Sequence, residues 1–64
     1  MTDELFRHQF SRDQKIAAIK KEISMRHSVY GRRVDEGKMS QRAADNGIAV
    51  MEAILTDYEA GVIK

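Results

Sequence analysis

Two apolar stripes, mirrored about a single break, constrain this chain more than any other feature. At about 100° per residue, Ile16, Ile19, Ile23, His27, Tyr30 and Val34 fall within an arc of roughly 80°, the stripe of one amphipathic helix. A second stripe, Ala44, Ile48, Met51, Leu55, Tyr58 and Val62, follows the alternating spacing of a heptad seam. Between them lies only Glu36-Gly37-Lys38-Met39-Ser40. So short a connection turns two helices antiparallel, and the stripes then match layer by layer. Val34 with Ala44, Tyr30 with Ile48, His27 with Met51, Ile23 with Leu55 and Ile16 with Val62 are equidistant from the break, while Ile19 and Tyr58 are one residue out of step. The spacing predicts an all-α fold, an antiparallel helical hairpin within a single helical domain. Its first helix occupies residues 11–36, its turn 37–40 and its second helix 41–60.

The ends carry their own signals. Ser11 followed by Gln14 is a capping box, and Asp13 in the first turn complements the helix dipole. Gly37 stands where a left-handed C-terminal residue is usual, and Ser40 is a good N-cap lacking a reciprocal Glu or Gln. The chain has no proline. Gly47 interrupts the second stripe at a cost of up to about 1 kcal/mol against Ala. Its place at the stripe's edge suits close approach by a neighbouring helix; the alternative is a turn at Asn46-Gly47.

At 64 residues and 7.3 kDa, a hairpin burying one stripe per helix has a thin core. Ala43, Val50 and Ile54 widen the second helix's apolar arc to roughly 160°, and Ala18, Met25 and Val29 form a weaker line nearly opposite the first helix's stripe. The surplus predicts a homodimer of four helices, self-associating through Ala43, Gly47, Val50 and Ile54. The alternative cover is residues 1–10, a lead-in or short helix capped by Thr2 that carries Leu5, Phe6 and Phe10.

Chemistry has little to stand on. There is no cysteine, Ser11 and Ser40 are taken up as caps, and His8 and His27 share no ligand-spaced partner. His27, inside the stripe, is expected to be partly buried and bonded to a neighbour, and Tyr30 and Tyr58 to be core residues with hydroxyls at the rim. Gly31, Gly37, Gly47 and Gly61 are isolated, so no phosphate-cradling loop exists. We expect no enzyme activity, no cofactor and no metal. No apolar run approaches the roughly 20 residues of a membrane span, and MTDELFRHQF is no signal peptide. The expected location is the cytoplasm.

Charge is unevenly spread. From Arg12 to Arg42, nine basic residues oppose four acidic ones, a balance of +5; from Ala43 onward the balance is −3, and the first eleven residues give −1. A basic helix beside an acidic one reads first as complementarity within the chain. The sharper reading is a basic cluster around the turn, Arg26, Arg32, Arg33, Lys38 and Arg42, able to meet phosphates or an acidic protein surface. No helix-turn-helix pattern or exposed stacking aromatic accompanies it.

The stretch KIAAIKKEISMRHSVYGRRVDEGKMSQRAADNGIAVMEAILTDYE resembles a group of small helical proteins encoded by tailed phages and prophages. The resemblance rests on Glu22-Ile23-Ser24-Met25-Arg26 with Val29-Tyr30, on the Gly37-Lys38-Met39-Ser40 turn, and on Ile48 through Leu55 with Asp57, about 45 of 64 residues. In that pattern the tyrosine is often followed by proline, here by Gly31, so a kink near residue 31 is expected. The group carries no activity to transfer. Its context implies a phage-encoded protein-binding accessory factor in the host cytoplasm, docking on a host or phage protein and inhibiting a host defence system. The alternatives are a nucleic-acid-associated factor using the basic cluster and a structural or assembly protein.

Overall fold

The structure, a computed structural model, describes residues 10–61. Two helices, α1 (Arg12–Asp35) and α2 (Gln41–Glu59), pack against each other as a hairpin, with no strand among the described residues. The local signals act as their chemistry requires. Ser11 Oγ accepts from the Gln14 amide at 3.1 Å, and Gln14 Oε1 accepts from the Ser11 amide at 2.8 Å. At the other end Gly37 adopts φ 73°, where a β carbon would be strained. The Gly37 amide donates to the Val34 carbonyl at 3.0 Å and the Lys38 amide to the Arg33 carbonyl at 2.8 Å, the paired bonds of a Schellman ending. Ser40 Oγ then accepts from the Ala43 amide at 3.1 Å and starts α2.

α1 runs unbroken through Gly31 and α2 through Asn46-Gly47, where Tyr30 makes the close approach expected at Gly47 and the alternative turn does not form. Gly61, at φ 79° and bonded back to the Tyr58 carbonyl at 3.1 Å, ends α2 at Glu59. The Ile16–Val62 layer, and Thr2, Leu5 and Phe6, lie outside the described residues.

One expectation needs correction: His27 is exposed and has no hydrogen bond within the described residues. Ile16, Ile19, Ile23, Tyr30 and Val34 are half-buried as the stripe requires, but so are Glu22, Arg26 and Val29. The buried face of α1 is therefore turned by roughly half of the 100° residue step, away from His27 and towards Arg26. On α2, Ile48, Met51, Leu55 and Tyr58 are half-buried together with Gly47 and Ile54. Ala44, 2% exposed, is the one fully buried residue among those described.

The open end is closed by a side chain that periodicity does not single out. Arg12 Nε donates to the Tyr58 carbonyl at 2.9 Å, and Arg12 Nη2 donates to the same carbonyl and to that of Glu59, at 2.8 Å. These belong to the last turn of α2, whose carbonyls lack intrahelical donors and form the negative end of its dipole. Lys20 Nζ adds an exposed contact to Glu59 Oε2 at 3.8 Å.

Two outcomes follow from this packing. Ile23→Ala, at a half-buried seam position, should lower stability in urea unfolding by about 2 kcal/mol, while exposed Ser24→Ala stays within about 0.5 kcal/mol; equal losses would sink the face assignment. Arg12→Ala should cost about 1 kcal/mol and speed amide hydrogen exchange in the last turn of α2 ahead of its middle.

Candidate functional site

The centre of the hairpin is a three-residue contact. Gly47 faces Tyr30 so closely that a β carbon there would stand 2.8 Å from Tyr30 Cε2. Beside the ring, Arg26 Nη1 donates to the Gly47 carbonyl at 2.7 Å, Arg26 Nε donates to Glu22 Oε2 at 2.8 Å, and the guanidinium carbon lies 5.9 Å from the Tyr30 ring centroid. The Glu22 hydrogen bond raises the Arg26 pKa, partial burial opposing it, so the guanidinium is a permanent cation. Two residues expected to face partners are thus engaged within the chain. Arg26, expected in the partner-binding cluster, has its side chain only 26% exposed, and Gly47, expected in the self-association group, lies under Tyr30.

The rest of the cluster is different. Arg32, Arg33, Lys38 and Arg42 are all exposed around the turn. Lys38 Nζ reaches Glu36 Oε1 only at 3.8 Å, and Arg32, Arg33 and Arg42 have no acidic partner within the described residues. Four exposed cations thus stand at one end of the hairpin, three of them without an acidic partner among the described residues.

Charge complementarity within the chain, the first reading of the uneven balance, is sparse. Of the ion pairs among described residues, only Lys20–Glu59 joins α1 to α2; Glu22–Arg26 lies within α1 and Glu36–Lys38 at the turn. Arg12 and Arg26 both reach α2 through backbone carbonyls rather than its carboxylates, and the carboxylates of Glu52 and Asp57 have no partner within the described residues.

The hairpin has two unlike sides. One holds an open groove of about 380 Å³ lined by residues that include His27, Tyr30, Asp45, Ile48 and Glu52. The other begins where Arg26 meets Gly47 and extends to Met25 and Val29 on α1 and to Ala43, Val50 and Ile54 on α2. Met25 and Val50 are each 51% exposed, Ala43 is exposed, and Val29 and Ile54 are half-buried. Sequence reasoning placed Val29 opposite the buried face and missed that α1 contributes to the same side as Val50. Among the described residues no three His, Cys, Asp or Glu side chains gather to hold a metal, and no helix is long and apolar enough to cross a membrane.

The Gly47 contact carries a sign that can be read. In an open helix interior Gly→Ala stabilises by up to about 1 kcal/mol. Here Gly47→Ala should instead destabilise by about 1–2 kcal/mol, because the Tyr30 ring must move off Arg26. In a Tyr30→Leu background the same substitution should turn neutral or stabilising, and a double-mutant cycle of unfolding free energies measures the coupling.

Compared with protein-family models, with curated proteins and with solved structures, the chain matches none.

Proposed function

We propose that this chain is a phage-encoded accessory factor that docks on an acidic surface of a host or phage protein, and in doing so inhibits a host defence system. The observation that carries the docking mode is the set of four exposed cations at the turn, Arg32, Arg33, Lys38 and Arg42, three of which have no partner within the described residues. Their density in one place gives a small helical protein long-range attraction to negative surfaces, and a Schellman ending holds the backbone between them. The phage context comes from the resemblance of the two helices and the turn; the defence-system target is inferred from that context together with helices that carry no chemistry. The second half of the reading is a homodimer joined through the flank of α2 at Val50 and Ile54. Exposed Val50 and a hairpin with one fully buried residue support it.

The test compares the wild type with Arg32→Ala/Arg33→Ala/Lys38→Ala/Arg42→Ala as bait in host lysate, with duplex DNA titrated alongside. We expect a stoichiometric protein partner that the quadruple variant fails to retain, and no DNA shift at low salt. If DNA binds instead, with log K falling against log salt at a slope of about −3 to −4 as four phosphate contacts require, the protein-docking reading is wrong and the nucleic-acid one takes its place.

A further inference from the structure

Resting on the dimer reading above, we infer that the second copy lies across both helices, α1 of each chain against α2 of the other, with Met25 and Val29 as much part of the interface as Val50 and Ile54, and with Lys21 of one copy paired to Asp57 of the other.

The face follows from the contacts within the chain. Arg26 on the Gly47 carbonyl joins the edge of α1 leading to Val29 and Met25 to the edge of α2 leading to Ile54 and Val50. His27 lies on the other side, in the groove with Asp45 and Glu52. The seam contact of Tyr30 with Gly47 and the exposed Lys20–Glu59 contact bracket the register. Between them Met25 lies within about two residues of level with Ile54, and Val29 of level with Val50, a shift of less than one helical turn. The apolar side chains therefore form two adjacent layers across the hairpin, and the intervening charges, Glu22 and Arg26, neutralise each other at 2.8 Å.

A twofold axis can lay a second copy on this face in two ways. An axis across the helices stacks α1 on α1; an axis along them stacks each α1 on the partner copy's α2. Charge decides. Arg12–Asp35 carries seven basic and three acidic residues, whereas Gln41–Glu59 carries one basic and four acidic. Stacking α1 on α1 sets two basic helices together, while the other arrangement sets basic on acidic, and among the described residues one ion pair, Lys20–Glu59, joins α1 to α2. An axis along the helices also preserves the layers. Lys21 then lies within about one residue of level with Asp57 of the other copy. Lys21 is exposed, Asp57 is half-buried, and neither has a partner within the described residues. The symmetry makes the pair twice.

Sedimentation of wild type, Val50→Glu, Met25→Glu, Lys21→Asp, Asp57→Lys and the Lys21→Asp/Asp57→Lys double variant tests this arrangement. We expect a wild-type dimer, monomers for both glutamate variants, dissociation constants raised about tenfold by each single charge reversal, and recovery in the double variant. A dimer that Val50→Glu breaks but Met25→Glu and the charge reversals leave intact would overturn the arrangement and spare the dimer. A wild-type monomer would overturn both. Where the glutamate variants lose helicity, Met25→Cys serves instead: the natural chain has no cysteine, so this single thiol should be alkylated several-fold more slowly in concentrated than in dilute solution. An unchanged rate refutes the interface at Met25.

Discussion

The Tyr30 ring, laid where Gly47 has no β carbon, sets the rotation of both helices and with it everything the hairpin shows to solvent. A ring seated in that notch lets the helices approach on one edge, which brings the Gly47 carbonyl within 2.7 Å of Arg26. A helical carbonyl keeps a second lone pair for such a donor. The guanidinium, now only 26% exposed, is satisfied by Glu22 one turn earlier. Closing this edge opens the opposite one, which is why His27 stands outside the seam and a groove runs beside it. One glycine thus decides which polar residues are interior and which apolar ones are left outside.

The cations divide along the same line. Arg12 and Arg26 are consumed by the backbone of α2, one at its last turn and one at its second. An arginine in the first turn of α1 opposes its own helix dipole, and its fork on the carbonyls of Tyr58 and Glu59 offsets that cost. Of the other described arginines, Arg32, Arg33 and Arg42 stand around the turn, where Arg32 and Arg33 complement the end of α1. Among the described residues, the arginines with neither an acidic partner nor a backbone acceptor are therefore those at that end.

What the sequence made legible is what local chemistry controls. Ser11, Gln14, Gly37 and Ser40 announce helix ends through bonds spanning a few residues, and the mirrored stripes announce the hairpin because any shift of register would break several layers at once. Rotation was not legible. A pattern of apolar residues counts His27 as part of the stripe and Arg26 as outside it, whereas the guanidinium enters the seam for a carbonyl acceptor that no pattern displays. Arg12 was hidden for the same reason, since its acceptors are backbone atoms far along the chain. Of the cationic cluster, Arg32, Arg33, Lys38 and Arg42 could be grouped from their spacing alone; that Arg26 departs from them required the contact with Gly47.

Thin burial ties folding to association. A residue that is half covered gains only part of its transfer free energy, and Ala44, the one described residue fully out of water, is too small to contribute much. Two half-covered helices give a thin core, and in the proposed dimer a second layer on the Met25–Val50 face would supply the missing burial. Folding and self-association then become linked equilibria. In the proposed arrangement the axis runs along the helices, so both turns emerge at the same end of the bundle. The layer that stabilises the fold also doubles the exposed cations there, and a second contact made at that end becomes intramolecular. Docking strength would thus depend on dimerisation even though the docking residues lie outside the dimer interface.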